Sequence, residues 1–467
     1  MARLVIVSDG LPSVRFQGIE LARRLAAHGH IVTWVGPDES LALASHHRLA
    51  VGPLPGSRCA EWAAQDAARS TLGRLRAIAA RRARALATLG LEPFERLLRD
   101  VNPELLLVNG EMHEHILTAL PTGIPIGLIN TFLSIWRRPG LPPPHTMARP
   151  GVGWQGSAVG TWGLWAGLIA RKRVKAWRAR VRAVGCDRLS LLGEVARQRG
   201  VDLARETDRS QWLIPFTYRR LPVLSLHALE FEFPHEPPAR VRYVGPMVLA
   251  DRLDAGAEPA DRQRLDAILA RRRAGGPARA LIYAGFGSAF STDLTLLRRL
   301  FGVVAQRPGW ELVVSLGRKV PASAVGPLPD RVHVFPWVPQ LDVLAESDVA
   351  VTHGGVNTID ECVLAGVPTL VYCGWETDMG GTTARVVHHG IGLAGDRQHD
   401  STDDVRRRLE RLLDDRDVRQ RVRHLRTRYE AYATDRVAER VVDALLEAGR
   451  RGPERPEASR QASGVRA

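Results

Sequence analysis

The sequence predicts an α/β protein of two parallel-sheet halves that face each other across a cleft. Short apolar runs alternate with longer amphipathic stretches along the chain, the pattern of parallel strands joined by helices. The 467 residues exceed what one hydrophobic core usually holds, so two domains are expected. Midway, residues 235–262 are rich in Pro, Ala, Asp and Glu and interrupt the alternation, as a linker would.

Taken in order, the first half (1–234) offers strands at 4–7, 31–35, 105–108 and 126–129. Ile19, Ala22, Leu25 and Ala26 recur at helical spacing between the first two. The second half (263–405) offers strands at 281–284, 312–315, 332–334, 349–352 and 369–372. Residues 406–448 read as helical, with Leu409, Leu412, Val422, Leu425, Tyr429, Val441 and Leu445 marking an apolar stripe. The tail 449–467 has no apolar periodicity and reads as disordered. Two such halves bind ligands where the carboxyl ends of their strands meet.

Composition removes several function classes. The net charge is +15, yet lysine occurs only at 172, 175 and 319, and the arginines are scattered over helix faces. With no DNA- or RNA-binding motif, no nucleic-acid partner is expected. Cys59, Cys186, Cys362 and Cys373 lack metal or redox spacing and read as free thiols. The N-terminus enters a short strand ended by Asp9, too brief for a signal peptide, so a cytoplasmic location is expected.

One segment departs from the alternation. Residues 151–170 carry no charge and include Trp154, Trp162 and Trp165, and a basic run from Arg171 to Arg182 follows. The length suits a membrane span, but the glycines lower its hydrophobicity. Two readings lead: an apolar lid over an acceptor pocket, or an interfacial segment of 151–182 in peripheral contact with the inner membrane face.

The most informative stretch is 336–393. It holds Pro336-Trp-Val-Pro-Gln340, Thr352-His-Gly-Gly-Val-Asn-Thr358, Glu361, Gly366-Val-Pro368 and Trp375-Glu-Thr-Asp378. The apolar run 349–351 leads into His353-Gly354-Gly355 and then a helix pattern. Unpaired N–H groups at such a helix start carry positive partial charge and make an anion site, which glycine lets the anion approach. Taken singly, Trp337 also suits a core, Gln340 a turn, and Glu361 a capping box with Thr358.

In order and spacing this block resembles the nucleotide-sugar signature of the UDP-glycosyltransferase superfamily, the inverting enzymes of GT-B fold with two Rossmann-like domains. Gly285-Phe-Gly287-Ser288, Glu230-Phe-Glu-Phe-Pro234, Tyr243-Val-Gly-Pro246 and Leu25-Ala-Ala-His-Gly-His30 support the likeness. Arg138-Pro-Gly-Leu-Pro-Pro143 and Ala384-Arg-Val-Val-His-His389 resemble bacterial members that glycosylate natural products and carotenoid-like lipids. The resemblance implies that Trp337 stacks on the base and the Val338 backbone pairs with its edge. It implies that Gln340 and Glu361 hold the ribose, which favours a UDP-sugar. The diphosphate would meet Gly287, Ser288, His353, Gly355, Asn357 and Thr358, and Asp378 would bind sugar hydroxyls. With those donors no metal and no other cofactor is expected. Met379 stands where the family usually has Gln, and Thr382 replaces a common Asn, so glucose is not implied.

The likeness breaks at proton removal. The family's catalytic His position is Val14, and that of its orienting Asp is Asn109. Asp9, Glu111 and His113 are the replacement candidates, with His115 nearby, because the loops after both strands face the cleft in this fold. The expected activity is metal-independent, inverting transfer of a sugar from a UDP-sugar to a hydroxyl of a hydrophobic small molecule or lipid. The alternative is a catalytically impaired homologue that serves as auxiliary partner of another glycosyltransferase. A sugar-nucleotide epimerase of the same fold fits the motif order less well.

Overall fold

The computed structural model describes residues 1–54, 71–252, 258–275, 280–287, 293–318, 320–374 and 377–451. Its strands are β1 (Arg3–Val7), β2 (Ile31–Gly36), β3 (Ala50–Pro53), β4 (Leu105–Asn109), β5 (Ile126–Asn130), β6 (Thr207–Asp208), β7 (Thr217–Tyr218), β8 (Val223–Ser225) and β9 (Val241–Tyr243). The second half follows with β10 (Ala280–Gly285), β11 (Trp310–Ser315), β12 (Val332–Phe335), β13 (Val349–Thr352), β14 (Thr369–Val371) and β15 (Gly392–Ala394). One parallel sheet has the order β3-β2-β1-β4-β5-β8-β9, the other β12-β11-β10-β13-β14-β15. This is the α/β, GT-B arrangement. Strands β6 and β7 form a separate antiparallel pair.

Both sheets reverse direction of growth at a central pair. β1 lies beside β4, in register from Leu4↔Leu105 to Val7↔Val108, and β10 lies beside β13, from Ile282↔Val349 to Gly285↔Thr352. Chain leaving such a pair diverges to opposite faces and opens a crevice. These strands are apolar on both faces because helices cover both: Leu4 to Val7 and Leu105 to Val108 are all buried.

The sequence locates the central strands but misses β3, β8, β9 and β15, which have three or four residues each and no room for a periodic signal. Within the expected linker 235–262, β9 pairs with the first sheet and the helix Pro259–Arg273 begins. The helical region 406–448 is three helices, Thr402–Asp414, Arg416–Thr434 and Val437–Arg451. Asp415 ends the first and caps the second, accepting from the N–H groups of Asp417 and Val418. The last helix packs Ala438, Val442 and Leu446 against Ile6, Ile19 and Leu105 of the first half, and His28 Nε2 lies 3.0 Å from Asp443 Oδ2. It runs to Arg451, so 449–451 are helical, and the rest of the expected disordered tail lies outside the described residues.

The halves are joined by buried polar contacts that neither sequence segment discloses alone. Arg385 lies against Glu232, with Nε at 2.8 Å and Nη2 at 2.6 Å from Oε2, and the two are 1% and 2% exposed. His389 Nε2 meets the Phe231 carbonyl at 3.0 Å, so the segments 229–233 and 384–389 form one junction. Removing one partner of a buried pair strands the other's charge, at a cost of about 3–5 kcal/mol. Arg385→Met should therefore lower the thermal midpoint sharply, and adding Glu232→Gln should recover part of the loss. An unchanged midpoint for Arg385→Met in a thermal scan would contradict this account of the junction.

Candidate active site

A cleft of about 1190 Å³ opens between the carboxyl ends of the two sheets. On the second-half side, β13 ends at Thr352 and the chain turns through His353, Gly354 and Gly355 into the helix Val356–Ala365. Gly354 has φ +89°, and a Cβ there would lie 2.9 Å from Val371 Cγ1, so the turn needs glycine. Gly355 is the N-cap and offers no side chain, which leaves the first-turn N–H groups unpaired by any cap. The helix starts too early for Thr358 and Glu361 to form a capping box, since Thr358 already lies in its first turn. Asn357, Thr358 and Glu361 all line the cleft.

The His353 ring fills the space between two glycine loops. A Cβ on Gly287 (φ +73°) would come within 2.8 Å of its Cε1. The ring shares a hydrogen bond with the backbone of Gly285, and burial pushes its pKa down to about 4. At neutral pH it is therefore an uncharged imidazole whose single N–H goes to the Gly285 backbone here and would have to be redirected to reach an anion.

The nucleoside-side residues also converge. Trp337 is half-buried, with the Arg318 guanidinium 5.9 Å from its ring centroid. Val338 is buried beside it. Tyr283 donates to Gln340 Oε1 at 2.9 Å, and Gln340 Nε2 donates to Glu361 Oε2. Glu361 also pairs with Arg252, whose guanidinium lies over the Phe16 ring at 4.8 Å. No sequence motif marks Arg252, which sits 109 positions from its partner at the end of the first half. Asn357 Nδ2 reaches across to the Ser13 carbonyl at 2.6 Å. Asp378 lines the cleft at the start of the helix Met379–His388, and burial raises its pKa. Gly287 and Gly355 line the cleft as well. Ser288, Trp375 and Cys59 lie outside the described residues.

The three base candidates separate. Glu111 lines the cleft; its loop is held by its own N–H on Asn109 Oδ1 at 2.9 Å and by Arg188 on its carbonyl at 2.9 Å. Asn109 thus orients a backbone turn where the family orients a histidine. Asp9 is 3% exposed and accepts the Leu11 N–H at 3.1 Å, steadying the turn before the helix Pro12–Ala27. His113 is fully buried, with its ring 4.5 Å from that of Phe216, and His115 packs edge-on to Phe94. Neither Asp9 nor His113 is among the residues that line the cleft. A short helix, His113–Ala119, starts directly after the loop and turns these histidines into the core. Val14 does line the cleft, so the family's base position faces it with a methyl-bearing wall.

The segment 151–182 divides between its two readings. It forms helices Gly153–Gly156 and Ala158–Arg182. Trp165 is buried, donating to the Leu141 carbonyl at 2.7 Å, and Leu168 lines the cleft. Trp154 and Trp162 point outward, 71% and 62% exposed. Among the described residues no helix is long and apolar enough to cross a membrane. Cys186 and Cys362 are buried free thiols, and Cys373 is a half-buried one.

Residues 303–447 match the family model for the C-terminal domain of erythromycin biosynthesis protein CIII-like proteins. The oleandomycin glycosyltransferase of Streptomyces antibioticus is 29% identical over 193 residues, which is 40% of this chain and 45% of that protein. The chain thus aligns with less than half of that relative's length. Among solved structures, the glycotransferase of kitacinnamycin superposes with a TM-score of 0.65 at 23% identity, covering 96% of this chain and 98% of that one. The glycosyltransferase VinC, solved in complex with DTDP, gives 0.60 at 18% identity, covering 96% and 100%. Residues 303–447 thus resemble the C-terminal domain of that family, and the chain as a whole shares the GT-B fold of these solved glycosyltransferases. The family match falls on the half that carries His353, Glu361 and Asp378, whereas the first half is matched by fold.

The lowered pKa of His353 has a consequence for stability. Its unfolded form takes a proton near pH 6.5 and its folded form only near pH 4. The unfolded state therefore binds more protons between these values, so this group's full contribution holds above pH 6.5 and is lost as pH falls towards 4. The loss reaches about 3 kcal/mol at 1.4 kcal/mol per unit. His353→Gln should flatten the stability slope between pH 6.5 and 4 in urea titrations. An identical slope in both proteins would show that His353 is already protonated in the fold.

Proposed function

We propose that the protein transfers a sugar from a UDP-sugar to a hydroxyl of a hydrophobic small molecule, with inversion and without a metal. The observation that carries this reading is the convergence, in one cleft, of the residues proposed for the donor with Glu111 from the opposite sheet. The first-turn amides of Val356–Ala365 and the neutral His353 would take the diphosphate, so that negative charge growing on the leaving group meets preorganised donors. Trp337 would stack on the base. Glu361, between Arg252 and Gln340, would accept ribose hydroxyls, which favours uridine over a nucleoside lacking the 2′-hydroxyl. VinC's complex with DTDP makes the thymidine nucleotide the pertinent competitor.

In the proposed reaction the acceptor oxygen attacks the anomeric carbon from the face opposite the diphosphate. The C–O bond to the diphosphate breaks, UDP leaves, and the acceptor proton passes to the Glu111 carboxylate. Of Asp9, Glu111 and His113, Glu111 lines the cleft, and Arg188 and Asn109 fix its backbone.

Calorimetric titration with UDP and dTDP, together with transfer assays, tests this. His353→Ala should weaken binding of both nucleotides, and Glu361→Ala should narrow the preference for UDP. Glu111→Gln should slow transfer by about 10²-fold or more and leave UDP binding intact. Unchanged UDP affinity in both donor-side variants would remove the donor assignment. Tight UDP binding with no transfer to any apolar alcohol would favour an auxiliary role beside another glycosyltransferase.

A further inference from the structure

The helix Ala158–Arg182 exposes apolar side chains on one face and basic ones on the side of the cleft. Val159, Trp162, Trp177 and Val181 recur on its outer face and are 58–70% exposed. The inner face runs from buried Trp165 through Leu168 to Arg171, Lys172 and Lys175, and these last four line the cleft. Arg171 and Lys175 are exposed where they line the cleft, so an anionic ligand entering it would meet both charges.

Lys172 is occupied within the protein. Its ammonium donates to the carbonyls of Gln211 and Leu213, at 2.5 and 2.7 Å, and holds the loop that brings Trp212 against Phe132 with centroids 5.3 Å apart. Arg171 and Lys175 differ. Arg171 Nη2 lies 3.3 Å from His145 Nε2, and neither cation pairs with a carboxylate among the described residues. Two of the cleft acids are matched elsewhere, Asp360 with His227 and Glu361 with Arg252, which leaves Glu111 and Asp378 as the other carboxyls of the lining. Trp212, Phe132 and Leu168 give the same region an apolar wall.

Resting on the transferase reading above, we propose that one reactant carries a carboxylate, bound by Arg171 and Lys175 beside this apolar wall. A carboxylate takes two parallel N–H bonds from a guanidinium, and the ammonium one turn further along the helix adds a third donor. Two sources share this chemistry. The carboxylate belongs either to an aromatic acceptor or to a uronic acid on the donor, because His145 also touches the start of the helix Met379–His388, where Asp378 lies.

The test uses binding rather than turnover. With UDP present, 6-hydroxy-2-naphthoate and its methyl ester are titrated into the full-length protein; separately, UDP-glucuronate is compared with UDP-glucose. A charge-assisted pair should make the carboxylate ligand of one arm bind about tenfold tighter than its neutral counterpart. The Arg171→Ala/Lys175→Ala double variant should lose that preference and keep its UDP affinity within about twofold. Preference in the first arm places the carboxylate on the acceptor, and preference in the second places it on the donor sugar. No preference in either arm, or a preference that survives the double variant, overturns the proposal while the donor assignment stands. Loss of UDP affinity in the double variant also overturns it, by making these cations diphosphate ligands. Failure of the parent protein to bind UDP would instead count against the donor site.

Discussion

Asp360 and His227 meet across the two halves, and the cleft geometry depends on them. His227 is fully buried, with Nδ1 2.8 Å from Asp360 Oδ2 and Nε2 2.9 Å from the Thr131 carbonyl. Burial acts to lower its pKa, but the pairing with Asp360 and the Thr131 carbonyl outweigh this and raise it. An imidazolium donating from both nitrogens satisfies that geometry. Tyr429, from the helix Arg416–Thr434, donates to the other Asp360 oxygen at 2.9 Å. One side chain of the helix Val356–Ala365 is thus tied to the end of β5 and to a C-terminal helix. The neighbouring residues Asn357, Thr358 and Glu361 are left to face the cleft. A buried ion pair adds little net stability, since desolvation offsets its attraction. It does fix where this helix start stands relative to Glu111.

The cleft electrostatics follow from that arrangement. Its two most buried carboxylates are matched by cations from the first half, Asp360 by His227 and Glu361 by Arg252. The proposed diphosphate site is served by amides and a neutral imidazole, which spare the cost of burying a full positive charge. Cations accumulate instead along the helix Ala158–Arg182, and Glu111 stands opposite the donor elements. On the proposed reading, charge in this cleft is separated by role: neutral dipoles for the leaving group, a carboxylate for the proton, cations for a reactant.

How much of this was legible in the sequence follows from how local each signal is. The strand–turn–helix at 349–365 was legible because Gly354 and Gly355 answer a backbone requirement set within a few residues. The central strands were legible because two-sided burial demands continuous apolar runs. His227–Asp360, Arg252–Glu361 and Arg385–Glu232 were not, since their partners lie 133, 109 and 153 positions apart and pair only through the packing of two sheets. The burial of His113 was not legible for a related reason: a loop after a strand faces the cleft for only a few residues, and a helix beginning at residue 113 turns the next side chains inward. The basic run 171–182 was legible as charge, but its inward direction required the helix phase set by Trp165.

The central claim is that a nucleotide's diphosphate sits on the helix start at Val356, against His353. A crystal structure of the protein soaked with UDP tests it most directly. The account predicts phosphate oxygens within hydrogen-bonding distance of the backbone amides of Val356–Thr358 and of the His353 ring, with uracil on Trp337. A nucleotide bound along Arg171 and Lys175, with that helix start untouched, would contradict it.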